Sequence, residues 1–351
     1  MKKLEKMDRE LLQMIQERAQ LSEQAARARM DAAEPLYDLQ GERARIEKLV
    51  ESSKGPLDKF CVRGVFRELF SGSRALVKPL RVAYLGPRYS YSHLAALECF
   101  GDSAELIPEA TISAVFDAYN RAQVDYGLVP IENSTDGRVV DTLEMFVRLQ
   151  SAQICGEVQL RIHHYLLGKC SPGDIQEVYS KPQALSQCRN WLAKHLSHAR
   201  PVEMASTAAA ARLAAEKPGA AAIASRQAGV HYGLNVVSEN IEDNANNITR
   251  FAVIGSQPAE RTGNDKTAAM FEIPHVPGAL ADAMAVFKRN EINLTWIESF
   301  PMADAENEYL FFVEMEGHPE DQEITKMTQA LRRKTVRMEV LGAYAKTSPV
   351  D

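Results

Sequence analysis

Residues 126–137 read YGLVPIENSTDG, an apolar run that passes directly into a polar cluster. The apolar part, residues 126–131, is predicted to be a buried strand, and a helix is predicted to begin near Arg138. In open α/β sheets, ligands bind beyond the carboxyl ends of the strands. The stretch therefore predicts an α/β sheet with a binding loop at Glu132, Asn133 and Ser134.

The same strand–loop–helix pattern repeats on both sides of this stretch. Residues 81–86 are a predicted strand, and the following loop carries Ser90 and Ser92. Further strand–helix units continue to about Gly255, which implies an α/β sheet covered on both faces. Within this zone we predict one strand at 159–167 and one helix at 183–196.

Two other zones flank the α/β zone. Residues 1–78 place apolar side chains at 3.6-residue spacing, which predicts three helices. After a polar linker at 256–265, residues 267–345 follow the order β-α-β-β-α-β of a ferredoxin-like fold, with a turn at 303–307. The predicted domains are therefore 1–78, all α-helical; 80–256, α/β with two lobes; and 267–345.

Composition excludes several classes of protein. The 351 residues carry a net charge of −6, which argues against a nucleic-acid binder. No apolar run reaches the roughly 18 residues that span a membrane. The start of the chain lacks the apolar core of a signal peptide, and the five cysteines form no paired motif. We expect a cytoplasmic protein that binds no metal and no cofactor.

A third polar cluster precedes the last strand of the α/β zone. There Asn247, Thr249, Arg250 and Phe251 stand at a predicted strand start, where a hydroxyl and a guanidinium can point into a cleft. The alternative for the serines in the other loops, Ser90 among them, is that they only cap helices.

These motifs resemble those of the prephenate dehydratases. The resemblance runs from Arg81 to Gly255 and includes residues 86–92, 129–134, 179–188 and 247–251. It implies that prephenate loses CO₂ and its ring hydroxyl. The catalytic residues that it implies are Thr249, Glu132, Ser180 and Gln187. The substrate-binding residues that it implies are Ser90, Ser92, Asn133, Ser134, Asn247, Arg250 and Phe251. We expect Thr249 to donate a hydrogen bond to the leaving hydroxyl, Glu132 to supply the proton, and Arg250 or helix N-termini to hold the carboxylates.

Residues 267–345 resemble an ACT domain, which in this family binds phenylalanine as a feedback effector. The matching positions are Gly278, Ala279 and Leu280 in one motif and Glu298 and Ser299 in the other. Phe300 replaces the arginine that usually follows them. The resemblance implies phenylalanine as a regulatory ligand.

Residues 1–78 resemble a chorismate mutase domain, which dimerises and binds chorismate with cationic side chains. The matching positions are Arg18, Arg29, Asp38, Glu42 and Ser73. Arginines expected at Met1 and Gly41 are absent, and Val77 replaces an amide or acid. Since charge-assisted contacts contribute about 1.5–3 kcal/mol each, we predict a weak or inactive mutase unless Lys2, Lys3 or Arg43 compensates.

Three alternatives follow from the sequence. The chain is a fully bifunctional mutase and dehydratase, or a non-catalytic sensor of an aromatic amino acid, or an extracytoplasmic solute-binding protein. The absent signal sequence argues against the last. An enzyme is favoured over a sensor by the retained residues, which are Thr249, Arg250, Glu132 and Gln187. Both flanking domains predict a homo-oligomer, either a dimer or a tetramer.

Overall fold

The computed structural model describes residues 1–32, 36–149, 151–256, 259–301 and 309–350. The turn predicted at 303–307 lies outside the described residues. The described chain has an all-helical N-terminal part, a two-lobed α/β part and a C-terminal four-stranded sheet with two helices. This is the predicted fold class.

The N-terminal part contains the three predicted helices. They are α1 (Lys2–Asp31), α2 (Leu39–Ser52) and α3 (Lys59–Ala75). Ile46 and Val50 of α2 pack against Phe70 of α3 in a small core. Helix α1 buries none of its residues within this chain, and its apolar stripe, which includes Leu4 and Met7, is more than half exposed. Among the described residues of the single chain, no element buries the stripe that predicts this helix.

The first lobe of the α/β part is a mixed sheet in the order β2-β1-β3-β11-β5, with the short β4 paired to β3. Its elements are β1 (Arg81–Leu85), α4 (Tyr91–Phe100), β2 (Glu105–Glu109), α5 (Ile112–Asn120), β3 (Tyr126–Asn133), β4 (Gly137–Arg138), α6 (Val140–Arg148), β5 (Gln153–Arg161) and β11 (Ile248–Gly255). Strands β1, β2 and β3 are parallel, and β11 runs antiparallel to β3 and β5.

The second lobe is a sheet in the order β10-β6-β9-β7-β8. Its elements are β6 (Tyr165–Gly168), β7 (Glu177–Ser180), α7 (Pro182–Gln187), α8 (Arg189–His195), β8 (Arg200–Glu203), α9 (Thr207–Glu216), β9 (Ala220–Ala224), α10 (Arg226–Tyr232) and β10 (Asn235–Ser238). All five residues of β9 are buried, because Ala and Ile side chains fit between a sheet and its covering helices.

Two predictions in this zone are wrong. The single strand predicted at 159–167 is two strands, β5 and β6, which belong to different sheets and are joined by residues 162–164. The single helix predicted at 183–196 is interrupted at Cys188, which lies between α7 and α8. The apolar pattern continues through both breaks, so periodicity alone conceals a change of lobe or a change of helix axis.

The C-terminal part follows the predicted β-α-β-β-α-β order. Its elements are β12 (Asp265–Glu272), α11 (Ala279–Arg289), β13 (Leu294–Pro301), β14 (Tyr309–Glu316), α12 (Gln322–Arg332) and β15 (Arg337–Ala345). The sheet has the order β13-β14-β12-β15. Side chains alternate across each strand, so Ala269 and Phe271 of β12 face the two helices, whereas Ala268 and Met270 face the first lobe. None of the described helices is both long and apolar enough to cross a membrane.

The C-terminal sheet approaches the first lobe most closely at Gly342 of β15. A Cβ atom on this residue would lie 2.0 Å from the carbonyl oxygen of Ile154 in β5, and its φ of +148° is a conformation that L side chains rarely adopt. Glycine is therefore required for the contact between the two backbones.

We predict that Gly342→Ala separates β15 from β5 and lowers the free energy of unfolding by about 1–3 kcal/mol, the usual cost of overpacking a buried contact. Thermal and denaturant unfolding of the full chain measures the loss. Gly173→Ala is the matched control, because no atom lies within 4 Å of a Cβ there. Equal stability of the two variants would contradict the close contact.

Candidate active site in the interlobe cleft

A cleft of about 410 Å³ lies between the two lobes of the α/β part. Of the residues implicated by sequence, six line it, namely Ser90, Ser92, Asn133, Gln187, Thr249 and Phe251. They come from the loop after β1, the first turn of α4, the end of β3, helix α7 and the start of β11. The carboxyl ends of the parallel strands β1 and β3 meet at this edge, as the rule for open sheets predicts.

Thr249 and Asn133 are opposite each other on the paired strands β11 and β3. The Asn133 Nδ2 group donates hydrogen bonds to Thr249 Oγ1 at 2.8 Å and to Asn247 Oδ1 at 2.9 Å. The Asn133 Oδ1 atom accepts from the backbone N–H groups of Thr135 and Asp136 at 2.9 and 3.1 Å, which determines the orientation of the amide. Because Thr249 Oγ1 already accepts a hydrogen bond, its own hydrogen is available to donate into the cleft.

Gln187 connects the two lobes. Its Oε1 atom accepts from Asn247 Nδ2 at 2.9 Å and contacts His164 Nε2 at 2.8 Å, and its Nε2 atom donates to Asp136 Oδ2 at 2.9 Å. Gln187 belongs to the second lobe, whereas Asp136 belongs to the loop after β3 of the first lobe. The contacts therefore hold the polar side chains of both cleft walls in one arrangement.

His164 is a cleft residue that the sequence analysis missed. It is 2 % exposed, and its Nδ1 atom lies 2.9 Å from the Tyr91 hydroxyl. Burial lowers the pKa of His164, although the hydrogen bond to Gln187 opposes the shift, so the ring is neutral at pH 7. With Gln187 Oε1 as an acceptor, we assign the proton to Nε2. The one hydrogen of the Tyr91 hydroxyl then has two acceptors within reach, the carbonyl of His163 at 2.8 Å and His164 Nδ1 at 2.9 Å. No sequence signal marks His164, because it lies in the unpredicted crossing between the lobes.

Lys181, at the start of α7, lines the cleft and contributes a positive charge to it. The N-terminus of α9 also borders the cleft through Ser206 and Thr207, and Ser206 caps that helix by accepting from Ala209 N at 3.0 Å. Ser90 caps α4 in the same way by accepting from His93 N at 3.3 Å. Helix N-termini and a lysine are groups that bind carboxylates.

Arg250 does not face the cleft, contrary to the sequence expectation. Consecutive residues of a strand point to opposite faces, so Thr249 enters the cleft and Arg250 points away from it. The Arg250 guanidinium donates to Glu132 Oε2 at 2.7 Å, to Glu314 Oε1 and Oε2 at 2.5 and 2.7 Å, and to Glu157. Glu132, predicted as a proton source, is thus a partner of Arg250 and does not line the cleft.

Ser180 and Ser134 are also placed differently from the prediction. The Ser180 side chain is fully buried, and its hydroxyl donates to the carbonyl of Ile223 at 2.6 Å, so it supports the second sheet. The Ser134 hydroxyl donates to the carbonyl of Asn246 and accepts from Ile248 N, both at 2.9 Å. Ser134 therefore holds two loops together beside the cleft.

Four of the five mutase-like residues line a second cavity, about 110 Å³ in volume, between α1, α2 and α3. These are Arg18, Arg29, Glu42 and Ser73. The Arg18 Nη1 group donates to Ser73 Oγ at 3.1 Å. The fifth, Asp38, instead caps α2 by accepting from Gly41 N at 2.7 Å.

The effector-like residues lie at two places in the C-terminal part. Gly278 precedes α11 with a φ of +86°, and Ala279 and Leu280 form the first turn of that helix. Glu298 of β13 pairs with Arg138 of β4 at 2.5 Å, a contact between the C-terminal sheet and the hairpin beside the cleft. Phe300, in place of the usual arginine, packs edge-to-face on Phe312 with 6.4 Å between ring centroids.

Comparison with known proteins agrees with this division of the chain. Residues 82–259 match the sequence model of the prephenate dehydratase family, and residues 1–78 match that of chorismate mutase type II. The bifunctional chorismate mutase/prephenate dehydratase of Aquifex aeolicus is 39% identical over 350 residues, which cover 98% of this chain and 96% of that protein. The chain belongs to the bifunctional chorismate mutase/prephenate dehydratase family.

Other members of the family support the same assignment. The bifunctional chorismate mutase/prephenate dehydratase of Stutzerimonas stutzeri is 39% identical over 351 residues, which cover 98% of this chain and 96% of that protein. The solved structure of the Arthrobacter aurescens prephenate dehydratase in complex with L-Phe is 30% identical, with a TM-score of 0.72 over 76% of this chain and 90% of that one. The interlobe cleft lies within the dehydratase domain, and the arginine-lined cavity lies within the mutase domain.

The charges around Arg250 generate a stability prediction. Glu157 and Glu314 have side chains only 2% and 1% exposed. Burial raises the pKa of Glu157, but Arg250 and Lys266 outweigh burial and hold that pKa below its ordinary value. The stabilisation from Glu157 is therefore present at neutral pH and is lost as pH falls through its folded-state pKa.

We predict that Arg250→Met lowers the free energy of unfolding by about 3–5 kcal/mol, because it leaves two buried carboxylates without their guanidinium. With that charge removed, burial raises the pKa of Glu157 in the folded chain, so the carboxylate takes up a proton as the pH falls and the loss of stability relative to the parent chain becomes smaller. Denaturant unfolding across a pH series measures both effects. Arg148→Met, on the exposed surface of α6, is the control. A loss of stability that stays the same from neutral to acid pH would exclude the ionic role.

Proposed function

We propose that the dehydratase domain converts prephenate to phenylpyruvate in the interlobe cleft. The observation that carries the proposal is the Thr249 hydroxyl, which lines the cleft and accepts a hydrogen bond from Asn133, so that its own hydrogen is free to donate. When the bond from the ring carbon to the carboxylate breaks and CO₂ departs, its electron pair makes the ring aromatic and expels the ring hydroxyl. The leaving group takes up one proton from the solvent of the cleft and departs as water, and a hydrogen bond from Thr249 stabilises the charge that develops on it.

Lys181 and the N-terminus of α9 are proposed to hold the carboxylates of prephenate. This assignment replaces Arg250, whose guanidinium is occupied by three carboxylates outside the cleft. Gln187 and Asn247 are proposed to position Asn133 and the cleft walls, since they form a hydrogen-bonded group with Thr249 at its end. Glu132 is not retained as the proton source.

The decisive variant is Thr249→Val, which keeps the shape of the side chain and removes the hydroxyl. We expect its turnover of prephenate to fall by about 10²–10⁴-fold, the usual contribution of a positioned acid or donor group. Thr249→Ser retains the donor and should retain activity within about tenfold. Phenylpyruvate formation, read by absorbance in alkali, measures both. Near-normal turnover by the valine variant would refute the role of Thr249.

We also propose that phenylalanine binding at the C-terminal domain regulates the dehydratase. Gly278 supports this, because a glycine before α11 lets a ligand approach the free N–H groups of the first helical turn. The Glu298–Arg138 ion pair supports communication, because Glu298 stands in the expected effector motif and Arg138 follows the Asn133 loop. The Arthrobacter aurescens relative is described in complex with L-Phe.

We predict that phenylalanine titrated into the full chain releases or absorbs heat and changes the rate of phenylpyruvate formation. Glu298→Gln should weaken the change in rate several-fold or more, because it removes the charge that pairs with Arg138. Glu291→Gln, an exposed residue of the same domain, is the control. A titration without heat would refute the effector proposal. If phenylalanine changed the rate of the Glu298→Gln variant as much as that of the parent chain, the proposed role of the Glu298–Arg138 ion pair in communication would be refuted.

The mutase domain carries the second candidate activity. Its predicted weakness rested on the arginines absent at Met1 and Gly41. Against that prediction, four arginines line the cavity, and the relatives similar over the whole chain are named bifunctional. We therefore propose the alternative, that this domain rearranges chorismate to prephenate. The exposed apolar stripe of α1 supports pairing with a second copy of the chain, as a dimer or larger oligomer.

A further inference from the structure

Two arginines of the mutase domain meet at one aromatic ring. The guanidinium carbon of Arg18, on α1, lies 4.1 Å from the centre of the Phe70 ring, and that of Arg45, on α2, lies 5.7 Å from the same centre. Both arginines line the cavity between the three helices. Arg45 is not among the positions that the mutase resemblance singles out.

The cavity holds more positive charge than its own carboxylate neutralises. Glu42 is the one acidic side chain among the described residues that line it. Glu42 is ion-paired with Arg74, whose guanidinium also donates to the carbonyl of Phe100 at 2.5 Å. Arg74 is thereby anchored to the scaffold.

Arg18 and Arg45 remain without such a close carboxylate among the described residues. Arg18 donates to the neutral hydroxyl of Ser73, and the Arg45 Nη2 atom is 3.9 Å from Asp38 Oδ2, a loose contact. Burial lowers the pKa of Arg18, Glu42 raises it and the nearby charge of Arg45 lowers it further, because the two guanidinium groups repel each other. An anion between them would remove this repulsion.

On α2, position 45 lines the cavity, whereas Gly41 does not. The carboxylate of Asp38 caps the helix, and a Cβ at Gly41 would lie 1.8 Å from Asp38 Oδ2. Position 45 is one helical turn later on the same face, and Arg45 Nε donates to the carbonyl of Gly41 at 3.1 Å. Arg43 does not compensate, because its Nη1 group donates to the carbonyl of Glu157 in the dehydratase domain at 2.7 Å.

We propose that Arg45 takes the place of the arginine absent at Gly41 and binds one carboxylate of chorismate, with Arg18 at the same Phe70 ring. This inference rests on the proposed mutase activity of the domain. It identifies Arg45 as the residue that replaces the positive charge absent at position 41. Arg45 is a binding residue in this scheme, and its fork of N–H donors matches a carboxylate.

The test compares Arg45→Gln with Lys48→Gln in the full chain. Lys48 is exposed on the same helix, does not line the cavity, and its variant loses the same charge. For Arg45→Gln we expect kcat/KM with chorismate to fall, and the Kd for chorismate in calorimetry to rise, by about 10- to 100-fold, the value of a charge-assisted contact. Arg45→Lys should recover part of the loss, and Lys48→Gln should match the parent. Turnover of prephenate by each variant verifies that the chain is folded.

The outcomes separate the two proposals. If the parent chain binds and converts chorismate and Arg45→Gln does so equally well, the role of Arg45 is overturned while the mutase proposal stands. If the parent chain neither binds nor converts chorismate, the mutase proposal fails, and the inference fails with it. A chain that binds chorismate without converting it supports the inference when Arg45→Gln alone loses binding.

Discussion

The contact between Arg250 and three carboxylates is the interaction on which the arrangement of the chain depends. Glu157 and Glu314 are almost fully buried, and such charges are tolerated inside a protein only when a cation pairs with them. The guanidinium lies on β11, Glu157 on the neighbouring β5 and Glu314 on β14 of the C-terminal sheet. One side chain therefore unites a central strand of the first lobe with a separate domain.

The alternation of side chains along β11 links this ionic cluster to the cleft. Thr249 and Arg250 are adjacent, so a strand that directs the guanidinium towards the C-terminal sheet must direct the hydroxyl towards the cleft. Asn133 lies opposite Thr249 on β3, and its Nδ2 group donates a hydrogen bond to Thr249 Oγ1 at 2.8 Å. Strand β11 therefore orients the polar side chains of the cleft from one face, while the ion pairs of Arg250 fix its other face.

Glu157 is also the place where the three parts of the chain meet. Its backbone carbonyl accepts from Arg43 of the helical domain, and its carboxylate pairs with Arg250 of the dehydratase domain and with Lys266 of the C-terminal sheet at 3.4 Å. A second bridge, between Arg138 and Glu298, joins the cleft hairpin to the edge strand β13. Both flanking domains thus contact the sheet that carries Thr249, which gives a physical basis for regulation from the C-terminal side.

The sequence by itself determined the order and type of the elements: the helical stripe of residues 1–78, the alternating strands and helices that follow, and the β-α-β-β-α-β order at the end. These are local patterns, because apolar periodicity and turn residues act over a few positions. The sequence also determined which motifs carry the polar side chains of the cleft, including Asn133, Gln187 and Thr249.

Only the tertiary structure decided which face each side chain occupies and which neighbours it finds. Arg250, Glu132 and Ser180 belong to the same motifs as the cleft residues but point elsewhere, because strand pairing and the burial of Glu157 and Glu314 determine their direction. His164 and Arg45 belong to none of the sequence motifs. His164 lines the cleft because it lies where the chain crosses between the lobes, and Arg45 lines the mutase cavity because it lies one helical turn after Gly41. Motif spacing records distance along the chain, whereas these roles depend on contacts between residues far apart in it.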